Sequence, residues 1–160
     1  GQKHGYASAT TILDGIHGFV PDAQYQPMGC TADMQASKVI AVVGELPYAE
    51  FMGDSTDLNL TQTQQKMITQ CKSFGKQVIV VLISGRAMTV TDTIKQSDAF
   101  IAAWLPGSEG AGVADFLFAA NGFTPVGKLP TSWPDQYEDL PLAQDADNAL
   151  YPFGFGLNKY

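Results

Sequence analysis

The sequence predicts an α/β domain with a mostly parallel sheet and helices on both faces. Two observations carry this expectation. Three apolar runs, Lys38–Val43 and Gln77–Ile83, both rich in Val and Ile, and Ala99–Leu105, read as strands buried on both sides rather than half-exposed and alternating. Helical patterns fall between and around them, and strand–helix alternation selects a parallel sheet with right-handed crossovers.

Each element has its own signal. Ala9, Ile12, Leu13, Ile16 and Phe19 recur at helical spacing, so residues 8–19 are expected to form a helix, capped by Ser8 or Thr10 and broken at Pro21-Asp22. Gln24–Met28 is a short strand candidate. Lys38–Val43 is the first strong strand, stopping at Gly44. Leu60, Met67, Ile68 and Cys71 share one side of a helix over Thr61–Phe74, which Gly75 ends. The second strand, Gln77–Ile83, closes on Ser84-Gly85-Arg86. Thr91–Gln96 reads as a helical turn, Ala99–Leu105 as the third strand and Ala111–Asn121 as a helix entered through Pro106–Gly110. Lys128–Pro134, an acidic loop over Gln136–Asp147 and a closing Tyr151–Gly156 segment complete the chain.

With 160 residues, the chain fits one domain or at most two small ones. Its net charge of −7 and its lack of a Lys/Arg cluster argue against nucleic acid and anionic membrane surfaces as partners. A neutral ligand such as a sugar meets no such penalty. No run approaches the roughly 18 apolar residues of a membrane-spanning helix, and no signal peptide opens the chain. Its first residues, Gly1–Tyr6, lack an initiator Met and read as the middle of a protein, so a fragment or a processed chain is expected. Cys30 and Cys71 match no metal or redox spacing, and Cys71 is expected to be a small buried thiol. His4 and His17 have no ligand-spaced partners, so neither a metal nor a cofactor is expected.

The loops after Val43, Ile83 and Leu105 should share the carboxyl edge of the sheet, where open α/β sheets bind ligands. They carry Glu45, Glu50 and Asp54; Ser84 and Arg86; and Ser108 and Glu109. Two carboxyl groups flanking a glycosidic bond are the minimum for most glycoside hydrolysis. A glutamate in partly apolar surroundings suits the acid role, because desolvation favours its protonated form. Glu50 stands between Tyr48-Ala49 and Phe51-Met52, which can supply such surroundings and an aromatic face for a sugar, and by pattern alone it reads equally as a plain solvated loop acid. Glu45, one residue past a strand-ending glycine, reads first as a loop carboxylate accepting backbone N–H bonds, and Asp54 as a turn residue. Arg86 at a strand end reads as the partner of a nearby carboxylate, and Glu109 as a charge favoured by a helix N-terminus. Gly107–Gly112 lacks the Lys-[Ser/Thr] of a phosphate loop, and no Gly-x-Ser-x-Gly elbow is present.

Taken together, several segments resemble the second domain of glycoside hydrolase family 3, the β-glucosidases and exo-β-glucanases. They are Gly44-Glu45-Leu46-Pro47-Tyr48-Ala49-Glu50 with Gly53-Asp54, Leu82-Ile83-Ser84-Gly85-Arg86, Ala103–Gly110, Gly127–Pro134, Tyr151–Leu157 and Thr10–Ile16. The resemblance implies a six-stranded α/β sandwich forming a single domain over residues 1–160. It also implies that Glu50 is the catalytic acid/base of a retaining enzyme acting on a β-glucoside or β-glucan. Tyr48 would be a substrate-binding residue, while Glu45, Asp54 and Arg86 would organise the loop. The nucleophilic aspartate would lie in a preceding (β/α)8 barrel, which this chain does not contain, and the parent enzyme would be secreted or periplasmic. Ala87 stands where the family usually has proline. Two other readings remain: a non-catalytic sugar-binding or interaction domain, and a flavodoxin-like nucleotide binder.

Overall fold

The structure, a computed structural model, describes residues 8–123 and 125–157, and the backbone but not the side chain of Glu50. In chain order the regular elements are α1 (Ile12–Phe19), β1 (Lys38–Gly44), α2 (Gln62–Ser73), β2 (Gln77–Ile83), α3 (Thr91–Gln96), β3 (Ala99–Trp104), α4 (Gly110–Leu117), β4 (Trp133–Pro134) and β5 (Ala149–Tyr151). The protein is an α/β fold. Its contacts divide into two compact units. One comprises residues 1–27, 105–128 and 156–160; the other comprises residues 28–104 and 129–155.

The larger unit contains the sheet. β1, β2 and β3 are parallel in that order, with Gly44 opposite Ile83 and Ile83 opposite Trp104. Alternate residues therefore face one way. On one face Val43, Val78, Val80 and Leu82 enter a core with Ile68 and Cys71 of α2, together with Cys30, Leu60, Met88, Val90 and Trp133. Asp98 ties the amino end of β2, accepting from the Val78 N–H at 2.6 Å and pairing with Lys72 at 2.8 Å. The Lys72 and Val78 donors hold its carboxyl below the ordinary value of 3.8. Trp133 is buried in the same core, and its indole N–H donates to the Met88 carbonyl at 2.7 Å.

Two elements follow the sequence pattern closely. α2 begins at Thr61, whose hydroxyl accepts from the Gln64 N–H while Gln64 reaches back to the Thr61 N–H, a complete capping box. It ends where Gly75 takes φ +70, a conformation that glycine adopts without a side-chain penalty. β4 and β5 form a separate antiparallel pair.

The described residues form three parallel strands, and the six implied by the resemblance are not all seen among them. Other expectations are corrected: Gln24–Met28 forms no strand. Pro27 has no N–H for a ladder, and Tyr25 and Met28 are exposed. Cys71 is not a free thiol: it is disulfide-bonded to Cys30, with Cα atoms 5.1 Å apart across a separation of 41 residues. The C-terminal helix stops at Leu117 rather than Asn121, because Ala119 and Asn121 take left-handed φ of 49° and 52°.

In the smaller unit α1 crosses α4 closely. A Cβ on Gly15 would lie 2.7 Å from Ala111 Cα, so only glycine permits the approach, and Phe19 stacks on Phe118 at 4.8 Å. The cap of α1 is Thr11, in a box with Asp14, not Ser8 or Thr10. Thr10 serves α4 instead. Its backbone pairs with Ser108 and Gly110, and its hydroxyl accepts from the Ala111 N–H at 3.0 Å, replacing the side-chain cap that Glu109 does not provide.

Candidate functional site

The carboxyl edge of the sheet is shaped by glycine. A Cβ on Gly44 would sit 1.9 Å from the Ile83 carbonyl oxygen, so only glycine lets β1 end this close to β2. The chain then turns. The Glu45 N–H donates to the same Ile83 carbonyl at 3.1 Å, and Gln64 on α2 donates to the Gly44 carbonyl at 3.0 Å. Beyond it, residues 45–49 run irregularly into a 3-10 turn, Glu50–Gly53, which Asp54 ends by donating its N–H to the Phe51 carbonyl at 3.0 Å.

One arginine fastens this loop at both ends. Arg86, two residues past buried Ser84, donates through Nε and Nη2 to a single oxygen of Glu45, at 2.9 and 2.5 Å. Its Nη1 donates to the Gly53 carbonyl at 2.6 Å. The guanidinium also lies over the Tyr48 ring, 4.6 Å from its centre, and the Tyr48 hydroxyl donates to the other Glu45 oxygen at 3.2 Å. Glu45 is 13% and Arg86 28% exposed, so this charge pair is shielded more than a surface pair is. Loss of solvent, then the Glu45 charge, push the Tyr48 hydroxyl above its ordinary value of 10.0 against the opposing pull of Arg86. Tyr48 is therefore a proton-bearing donor at neutral pH.

The loop is also closed sterically. A Cβ on Gly53 would lie 2.2 Å from Cδ2 and 2.8 Å from Cγ of Tyr48, too near the root of the ring for a simple swing to relieve it. Gly53→Ala is expected to destabilise the fold by about 1–3 kcal/mol by displacing Tyr48 from Glu45. Urea unfolding at neutral pH checks this; a midpoint equal to that of the unsubstituted protein would contradict the packing.

Thus the structure brings Glu45, Tyr48, Arg86 and the turn from Glu50 to Asp54 together at one strand edge. Ser108 and Glu109 belong to the other unit, where the Ser108 hydroxyl donates to Glu109 at 3.1 Å. Leu46 precedes the turn and Phe51 and Met52 lie within it, the three residues 86%, 73% and 75% exposed. His17 bonds the Ala23 carbonyl at 2.8 Å, and His4 lies outside the described residues. Among the described residues no cluster of His, Cys, Asp and Glu could hold a metal ion. The Arg86 clamp was only half visible in the sequence, because the strand-end arginine predicted a carboxylate partner but not which one.

Fold and site together define an α/β domain that presents an arginine-fastened acidic loop at the carboxyl edge of its sheet. Residues 1–159 match the family described as the glycosyl hydrolase family 3 C-terminal domain. The chain belongs to that family. It is 32% identical over 152 residues to a periplasmic beta-glucosidase of Salmonella typhimurium, a match covering 79% of this chain and 20% of the relative. A xylan 1,4-beta-xylosidase of Xylanibacter ruminicola is 37% identical over 117 residues, covering 66% of this chain and 13% of that protein. Among solved structures, an exo-1,3/1,4-beta-glucanase from a Pseudoalteromonas species superposes with a TM-score of 0.82 and 36% identity, over 95% of this chain and 21% of that one. The chain thus spans about a fifth of the length of the first and last of these relatives.

Proposed function

We propose that this chain is the acid/base-bearing domain of a retaining, exo-acting β-glucosidase or β-glucanase, and that Glu50 is its proton donor. The observation that carries the reading is the position of Glu50. It opens a 3-10 turn at the carboxyl edge of the parallel sheet, on a loop that Arg86 holds through both Glu45 and Gly53. A general acid must be fixed within hydrogen-bond reach of the leaving oxygen, and a clamped turn limits its wandering. The β-glucosidase and exo-glucanase relatives support the substrate class.

In this mechanism Glu50 protonates the leaving oxygen while a carboxylate from a barrel domain of the parent enzyme attacks the anomeric carbon. Ionised Glu50 then activates the water that releases the sugar. Retention requires the two carboxyls about 5–5.5 Å apart. The exposed apolar side chains of Leu46, Phe51 and Met52 suit a loop covered by that second domain, which would exclude water around the acid. Tyr48, still partly exposed, contributes to the substrate face. The Cys30–Cys71 disulfide and the periplasmic Salmonella relative support an oxidising, extracytoplasmic setting for the parent. No helix among the described residues is long and apolar enough to cross a membrane.

The 160-residue chain by itself is expected to hydrolyse an aryl β-glucoside negligibly, because on this reading the attacking carboxylate belongs to the barrel domain of the parent enzyme. Release of nitrophenol from a p-nitrophenyl β-glucoside by the purified chain, at rates typical of an enzyme, would overturn the divided-site reading.

A further inference from the structure

Between the acid-bearing turn and α2 the chain reads Asp57-Leu58-Asn59-Leu60-Thr61, a stretch to which the proposed chemistry assigns nothing. Asn59-Leu60-Thr61 has the Asn-x-Ser/Thr form of an acceptor for N-linked sugar, with no proline in the middle. Asn121, Asn148 and Asn158 lack the hydroxyl residue two places on, so Asn59 carries the one such motif of the sequence. An acidic residue two places before the asparagine, Asp57 here, also meets the stricter acceptor rule of bacterial oligosaccharyltransferases.

Three residues alone recur by chance, and the fold decides whether they can carry a sugar. Leu58 and Leu60 are 5% and 3% exposed, and the Leu58 carbonyl accepts from the Thr89 N–H at 2.9 Å. The segment is thus anchored on both sides of Asn59, which is itself exposed. A surface loop is where a bulky, solubilising sugar belongs.

The amide is also oriented. A carboxylate only accepts, so the Asp57 oxygen at 2.8 Å faces the Asn59 nitrogen, while the Thr89 hydroxyl donates to the Asn59 oxygen at 2.9 Å. Nδ2 spends one of its two hydrogens on Asp57, and among the described residues the second has no partner. A sugar in place of that second hydrogen removes neither existing bond, so the folded loop accommodates it.

Thr61 is committed differently. Its hydroxyl caps α2, donating to the Gln64 side chain at 3.1 Å and accepting from the Gln64 N–H at 3.3 Å. A transferase reads that hydroxyl, so the modification belongs to the chain before α2 is capped. The Cys30–Cys71 disulfide supports passage through an oxidising compartment, where such transferases work.

We propose that Asn59 is an N-glycosylation site, its donor an oligosaccharide carried on a polyprenyl pyrophosphate. Nδ2 attacks the anomeric carbon of the first sugar and forms the N-glycosidic bond. The bond from that carbon to the pyrophosphate oxygen breaks, the lipid pyrophosphate leaves with the electron pair, and Nδ2 gives up one proton to solvent. The inference rests on the extracytoplasmic setting proposed for the parent and not on the role of Glu50.

The test uses the full-length parent enzyme, secreted from yeast and, separately, exported to the periplasm of a bacterium carrying an oligosaccharyltransferase. Trypsin releases residues 39–66 as one peptide. In at least one host most of this peptide is expected to carry sugar-sized mass increments that fragmentation localises to Asn59. Asn59→Gln and Thr61→Ala should abolish them. Thr61→Ser, which keeps both the motif and a cap hydroxyl, should retain them and guards against loss of fold. An unmodified peptide from both hosts would overturn the site. The same digest reports the setting: a joined Cys30–Cys71 pair with no glycan removes the acceptor and leaves the oxidising route standing. A glycan alongside two free thiols supports the acceptor and removes the disulfide as support for that route.

Discussion

Glu50→Ala in the full-length enzyme is expected to lower kcat/KM for glucosides with poor leaving groups by about 10²–10⁴-fold, the usual contribution of a positioned general acid. Activated aryl glucosides, whose leaving oxygen needs no proton, should lose far less in the glycosylation step. Added azide should partly restore turnover by attacking the glycosyl-enzyme without base assistance, giving a glucosyl azide of retained configuration. Steady-state kinetics on a disaccharide and a dinitrophenyl glucoside, with product analysis in azide, check all three. Equal rates for both substrate classes with and without Glu50 would remove it from the mechanism. The neighbouring geometry sharpens the expectation. Glu45 is consumed by Arg86 and Tyr48, so it is poorly placed to substitute for a lost acid.

Removal of the Cys30–Cys71 disulfide is expected to produce the largest change in stability. The bond closes a separation of 41 residues that includes β1, the acidic loop and most of α2. Chain entropy alone assigns about 4 kcal/mol to a loop of this length. For a chain of this size that corresponds to a fall of roughly 8–15 °C in the thermal midpoint. Calorimetry of the oxidised protein, the reduced protein and the Cys30→Ala/Cys71→Ala variant checks it. Both sulfurs lie in the core, so the double variant should fall at least as far as the reduced protein. A shift of less than about 2 °C on complete reduction would show that the disulfide does not restrict the unfolded chain to this extent.

The legible part of the structure is the part with local causes. Val78, Val80 and Leu82 announce a buried strand through composition, and Thr61 with Gln64 announces a helix start through spacing. The motif Gly44–Glu50 carried the family resemblance, in agreement with the match over residues 1–159. Thr10 shows where local reasoning stops. It has the chemistry of a cap and acts as one, but for α4, about a hundred residues away, because its backbone is paired beside Ser108. Cys30 and Cys71 show the same limit: nothing in their spacing reveals that their Cα atoms lie 5.1 Å apart.

The sequence by itself determined the strand–helix alternation, the strand ends at Gly44 and Ile83, and the family to which the chain belongs, because periodicity, glycine punctuation and ordered motifs are properties of neighbouring residues. Only the tertiary structure decided that Arg86 grips Glu45 and Gly53, that Tyr48 is bound into that clamp and that the two cysteines are joined. Each of these depends on side chains tens of residues apart meeting in space, and a contact of that kind is set by how the elements pack rather than by the residues on either side of it.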